Sequence, residues 1–121
     1  MAHDPNCIFC KIIAGEIPSR KVYEDDDVFA FHDIAPWAPV HFLIIPKRHI
    51  PSMAQLAPDD AAVMGKIMTL APQLAFENGC RPYPEGGFRI MINTGHDGGQ
   101  EVRHLHVHVL GGPRPWSKGN D

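Results

Sequence analysis

The chemistry-bearing residues concentrate in one short segment, His104-Leu105-His106-Val107-His108. Imidazole titrates near neutral pH and can serve as base, nucleophile or metal ligand. The alternation has the period of a β-strand, which would send the three rings to one face and Leu105, Val107 and Val109 to the other. Same-face residues on a strand lie roughly 6.6 Å apart, so three rings make a row longer than one small ligand and can divide their labour. The plain alternative is an edge strand that tolerates surface histidines, and a second chemical one is a hydrolase whose His-x-His pair binds a catalytic ion. Just upstream, Asn93-Thr94-Gly95-His96-Asp97-Gly98-Gly99-Gln100-Glu101 is glycine-rich. Such a loop lets backbone amides approach an anion such as phosphate, although it can also simply turn the chain. Cys7, Cys10 and Cys80 are an odd number, and the first two form a Cys-x-x-Cys pair that fits metal binding or burial better than a disulfide framework.

These residues need elements to hold them. Apolar groups at 8, 9, 12 and 13 predict a short helix over Cys7 to Ala14, with Gly15 as its stop. Lys21 to Tyr23 and Val28 to Phe31 are β-prone runs joined by a solvated acidic turn, Glu24 to Asp27, and His41 to Pro46 is a third strand after the loop Asp33 to Pro39. From Pro58 to about Asn78 the pattern is helical, and Pro72 within it predicts a kink or a break. Phe88 to Asn93 and His104 to Leu110 complete the order as two further strands. The plan is an α+β domain with mainly antiparallel pairing.

At 121 residues the chain is long enough for one core, so a single domain over 1–121 is expected, with a core of about 7–112 and a tail of 113–121. The formal charge of −3 argues against a nucleic-acid partner. No apolar run approaches membrane-spanning length, and Met1 to Pro5 lacks signal-peptide features, which predicts a cytoplasmic protein.

The stretch from Gly98 to Gly112 resembles the histidine triad (HIT) signature, in which three histidines alternate with apolar residues. Cys7-Ile8-Phe9 with Ile12-Ile13, Phe31-His32-Asp33-Ile34 with Ala38-Pro39, and His41 to Lys47 are similar to the Hint branch of that family, the purine nucleoside phosphoramidases. The resemblance covers about residues 7 to 112. It implies a HIT-like fold of about five strands and two helices, and a homodimer with one continuous larger sheet. It implies hydrolysis of the phosphorus–nitrogen bond of adenosine or guanosine phosphoramidates and aminoacyl adenylates, through a covalent nucleotidyl-histidine. Dinucleoside polyphosphate hydrolysis and nucleotide-binding regulation are the family's alternatives.

By the same resemblance His106 is the nucleophile, assisted by His104, His108 and His41. Ile8, Phe9, Ile12, Phe31, Ile34 and Leu43 would line a nucleoside pocket, with His32 near the base and Asp33 accepting from the ribose hydroxyls. Asn93, Gly99, Gln100 and Glu101 would face the phosphate, and Trp116 would shape substrate choice from the tail. Glu101 departs from the serine of some relatives and leaves its backbone amide as the phosphate contact; Arg103 replaces an aromatic and should point away from the histidines. Catalysis would need no cofactor. Cys7, Cys10, His49 and His104 are the four positions that bind zinc in some relatives, where two sulfurs and two nitrogens make a closed structural site.

Overall fold

A computed structural model describes residues 4–116. Trp116 is therefore the last position of the tail that can be placed. The chain runs α1 (Ile8–Ile13), β1 (Lys21–Glu24), β2 (Val28–His32), β3 (Val40–Pro46), two 3-10 turns (Met53–Gln55 and Pro58–Asp60), α2 (Ala61–Glu77), β4 (Phe88–Met91) and β5 (Val107–Gly111). All five strands form one antiparallel sheet in the order β1-β2-β3-β5-β4. No described helix is long and apolar enough to cross a membrane.

Register sorts the sheet into two faces. Facing residues of an antiparallel pair share a face. The pairs Ala30↔Ile44 and Ile44↔Val107 therefore belong to one side, and Phe31↔Leu43 and Leu43↔His108 to the other. α2 covers the first with Ile67, Ala71, Leu74 and Ala75, packed on Val28, Ala30, Phe42, Ile44, Val107 and Val109. α1 covers part of the second, where Cys7, Phe9, Cys10 and Ile12 meet Phe29, Phe31, Leu43 and Ile45.

At six residues α1 is too short to persist alone, so packing and caps must hold it. The Cys7 sulfur accepts the Cys10 N–H at its start, and Gly15 takes φ +80 just past its end. α2 differs from expectation. It begins at Ala61, after a 3-10 turn at Pro58–Asp60, and continues through Pro72 without a break. The lost hydrogen bond is outweighed because Ala71, Leu74 and Ala75 on either side of the proline are buried against the sheet.

The acidic turn is largely exposed, as expected, but also tied down, and the start of the last strand is corrected. The acidic turn is anchored: the Asp25 carboxylate accepts the N–H groups of Asp27 and Val28 and the Tyr23 hydroxyl, and Lys66 of α2 pairs with Asp25 and Asp27. Burial works against ionisation of Asp25, but these donors hold its carboxyl at about 2. β5 begins only at Val107, so His104 and His106 lie on the irregular approach to the strand.

Candidate active site

His41 and His108 are brought together by register. His41 faces Leu110 and His108 faces Leu43, so both side chains project from the face opposite α2. His41 Nδ1 accepts the Trp37 N–H at 3.0 Å, which puts the ring proton on Nε2. That Nε2 lies 2.9 Å from His108 Nδ1 and donates to it, so His108 carries its own proton on Nε2. His108 Nε2 is buried with no hydrogen-bond partner among the described residues. A directed donor therefore stands ready for an incoming acceptor. Asp33 Oδ2 sits 3.5 Å from His41 Nε2, while Asp33 Oδ1 accepts the Ala35 N–H.

His106 has the opposite polarity. Its Nδ1–H donates to the His104 carbonyl at 2.7 Å, which leaves Nε2 as an unprotonated lone pair. The ring is 4.9 Å from that of His108, and the Phe9 edge supports it at 5.2 Å. Burial pushes the His106 pKa down, opposed by the bond to His104 and by the carboxylates of Asp33 and Glu101. Burial also lowers His41, and it brings His108 to about 4 with help from His106 and His41. Near neutral pH the site thus holds uncharged imidazoles, one with a free lone pair and one with a free N–H. That arrangement can attack an electrophilic centre and hydrogen-bond to its oxygens.

His104 leaves this group. Fully buried, it donates from Nε2 to the Pro46 carbonyl at 2.8 Å and turns the Nδ1 lone pair toward Cys7 Sγ (3.4 Å), Cys10 Sγ (3.6 Å) and His49 Nδ1 (3.2 Å). Cys10 Sγ is 3.4 Å from His49 Nδ1. A tetrahedral zinc requires N···N edges of about 3.3 Å and N···S edges of about 3.6 Å, given Zn–N near 2.0–2.1 Å and Zn–S near 2.3 Å. The four side chains fit that ion, and the Pro46 bond supplies the outer support a ligating imidazole needs.

Other expected residues separate. Phe9, Ile12, Phe31 and Leu43 are buried together, whereas Ile8 is 47% and Ile34 100% exposed. His32 pairs with Phe42 and so has the parity of the α2 face. In the glycine loop, the N–H groups of Gly98, Gly99 and Gln100 close the turn onto Gly95 and His96 carbonyls; the Glu101 N–H is not engaged by any described residue. Asn93 lies partly buried two residues beyond β4. Gln100 is turned into the protein: its amide donates to the Pro51 and Val102 carbonyls at 2.8 and 2.9 Å and accepts the Gly95 N–H at 2.9 Å. Trp116 is anchored by Nε1 donating to the Gly112 carbonyl at 3.0 Å, with Arg89 and Arg114 over its ring.

Trp37 was not anticipated. Its N–H sets the His41 tautomer, and its ring stacks 6.5 Å from His108. The available signal was an aromatic residue held between Pro36 and Pro39 in a loop leading directly to His41. Two clefts, of about 740 and 440 Å³, lie elsewhere and include none of these histidines, so concavity alone does not locate the site.

Fold and site define a small α+β domain with a set of buried histidines on one sheet face as its candidate site. The HIT domain matches residues 14–114. The chain is 50% identical over 108 residues to protein HitA of Neisseria gonorrhoeae, covering 89% of this chain and 97% of that protein. It is 47% identical over 105 residues to the purine nucleoside phosphoramidase of Escherichia coli K12, covering 87% of this chain and 86% of that one. A histidine triad protein from Clostridium difficile superposes with TM-score 0.85 at 45% identity, covering 93% of this chain and 96% of the other. A HIT family hydrolase from Legionella pneumophila gives 0.84 at 45%, covering 90% and 95%. The chain belongs to the HIT family.

Proposed function

We propose that this enzyme is a purine nucleoside phosphoramidase with His106 as its covalent nucleophile. The carrying observation is the pair of complementary tautomers, a lone pair on His106 Nε2 beside an N–H on His108 Nε2. His106 Nε2 attacks phosphorus and forms a P–N bond; the substrate's own P–N bond breaks, and the amine departs with that electron pair and takes up a proton. Water then adds to phosphorus, releasing nucleoside monophosphate and restoring His106. The His108 N–H and the Glu101 amide hydrogen-bond to the phosphate oxygens, Asn93 and Gly99 flank it, and Asp33 accepts from the ribose hydroxyls. The buried face of Phe9, Ile12, Phe31 and Leu43 offers the base an apolar support, and the exposed Ile8 and Ile34 are the further apolar side chains of this reading.

Cys7, Cys10, His49 and His104 would hold a structural zinc, which supplies cross-linking and no reactive position. The three buried free thiols suit a reducing, cytoplasmic setting. β4 is one of the two edge strands, with β1, and offers a backbone edge on which a second copy could extend the sheet into the continuous one of the homodimer reading. A second reading has one specific support, because Asp33, His41 and His108 also come close enough to share an ion. Loss of turnover on chelation with the fold intact would favour it.

The deciding experiment is a single turnover with labelled adenosine phosphoramidate. The parent should trap label on the protein and His106→Ala should not. Absence of trapped label on the parent, or full activity in the variant, would reject the covalent mechanism.

A further inference from the structure

The chain carries a formal charge of −3, yet three arginines gather around one cleft. Arg81 follows α2, Arg89 lies on β4 and Arg114 comes after β5. The fold brings all three to the end of the sheet where β4 starts and β5 stops. Local contacts fix that meeting. Cys80 is buried against Gly111, where any Cβ would overlap its sulfur, so the next residue, Arg81, sits beside the end of β5. From there the chain turns into β4, with the Gly87 N–H donating to the Arg81 carbonyl and the Gly86 N–H to that of Pro82, both at 2.8 Å. On the other side, Trp116 Nε1 donates to the Gly112 carbonyl, and the guanidiniums of Arg89 and Arg114 lie over its ring at 5.2 and 4.7 Å.

Apart from that indole, the three side chains have no hydrogen bond or ion pair among the described residues. Three arginines and one carboxylate, Glu85, line the cleft, a local charge of +2. Arginine does not deprotonate, so the repulsion among them persists at every working pH, and a counter-anion relieves it. An arginine laid on an aromatic ring spends the face of its guanidinium and keeps the N–H edge, which grips phosphate oxygens two at a time. With two guanidiniums over it, the indole serves as their holder rather than as a platform for a base.

We propose that this cleft is an anion site, separate from the histidine site, for a small and multiply charged phosphate compound of the pyrophosphate type. Its volume of about 440 Å³ is that of a small-molecule site, and no histidine lines it. Two phosphoryl groups offer acceptors to the guanidiniums of all three segments, whereas a singly charged anion leaves part of the positive charge unmatched. The site stands independently of the phosphoramidase reading.

The test is titration with inorganic pyrophosphate. The chain has two tryptophans, so Trp37→Phe leaves Trp116 as the sole reporter. Its emission should change saturably at low salt, with affinity falling as salt rises, and calorimetry on the unaltered chain should give the same affinity. Arg81→Gln, Arg89→Gln and Arg114→Gln should each weaken binding about tenfold, the size of one charge-assisted pair. Arg114→Lys keeps the charge but loses the fork, and should fall between the parent and Arg114→Gln. His106→Ala should bind as tightly as the parent. The proposal is overturned if neither emission nor calorimetry shows saturable binding, or if affinity is indifferent to all three arginine changes. Loss of binding in His106→Ala would move the anion to the histidine site. Emission that follows protein concentration but not pyrophosphate would give the cleft to a second copy of the chain. Either result rejects a separate phosphate site.

Discussion

The two faces of the sheet use burial for opposite ends. Under α2, the buried side chains Val28, Ala30, Phe42, Ile44, Val107 and Val109 carry no polar atoms, and removing them from water stabilises the fold directly. On the opposite face, the same depth of burial encloses His41, His104, His106 and His108. Here desolvation disfavours charge, and specific hydrogen bonds decide which ring nitrogen carries the proton. One face is built for stability, and the other accepts a polar cost in exchange for reactivity. β3 and β5 serve both at once because neighbouring residues point to opposite sides.

This contrast can be broken at several points. The largest effect should come from crossing substitutions between the faces. His106→Ala should lower kcat by about 10³-fold or more with little change in the urea midpoint. Phe42→Ala should cost about 3–5 kcal/mol of stability while the remaining folded protein keeps its turnover. Stability loss in the first, or catalytic loss per folded molecule in the second, would show that the faces are not separable.

Next in size is the cysteine–histidine cluster. The purified protein should contain about one equivalent of zinc by elemental analysis, and Cys10→Ser should reduce both occupancy and Tm, the latter by about 5 °C or more. An unchanged Tm in a zinc-free variant would make the cluster ordinary packing.

The smallest effect, and the sharpest on tuning, is pH dependence. His41 and His108 have folded pKa values below the unfolded value near 6.5, and His108 stands at about 4. The neutral rings are present above the folded values, so activity should persist below pH 6 and decline as pH falls toward 4. The sign for stability follows by linkage. Between about pH 6.5 and 4 the unfolded chain binds protons that the folded site refuses, so stability should fall as pH falls through that window. Activity already halved at pH 6.5 would mean the rings titrate as if exposed.

Much of this was readable in local pattern. β-prone and apolar runs predict β2 and β3 to within a residue of their observed limits, β5 starts three residues later than its alternation predicts, and Cys7 to Gly15 predicts α1 with its stop. The three histidines announce themselves by type and spacing. Their separate tasks do not. His104 and His106 stand before β5, yet both rings meet Phe9 on the face that His108 shares; what spacing does not show is that His104 is engaged by Cys7 and Cys10 of the α1 segment and by His49. Gln100 is likewise invisible as a clamp, because its acceptor at Pro51 is 49 residues away.

By itself, the sequence determined which residues could do chemistry and which short elements would carry them, since propensity, capping and alternation act between near neighbours. Tertiary structure alone decided that Cys7 meets His104 across 97 positions, that Trp37 and His41 set the proton on His108, and that α2 passes through Pro72. Those outcomes depend on which strands pair, and in what register. Register is chosen by burying a whole face at once, a quantity no local stretch of sequence contains.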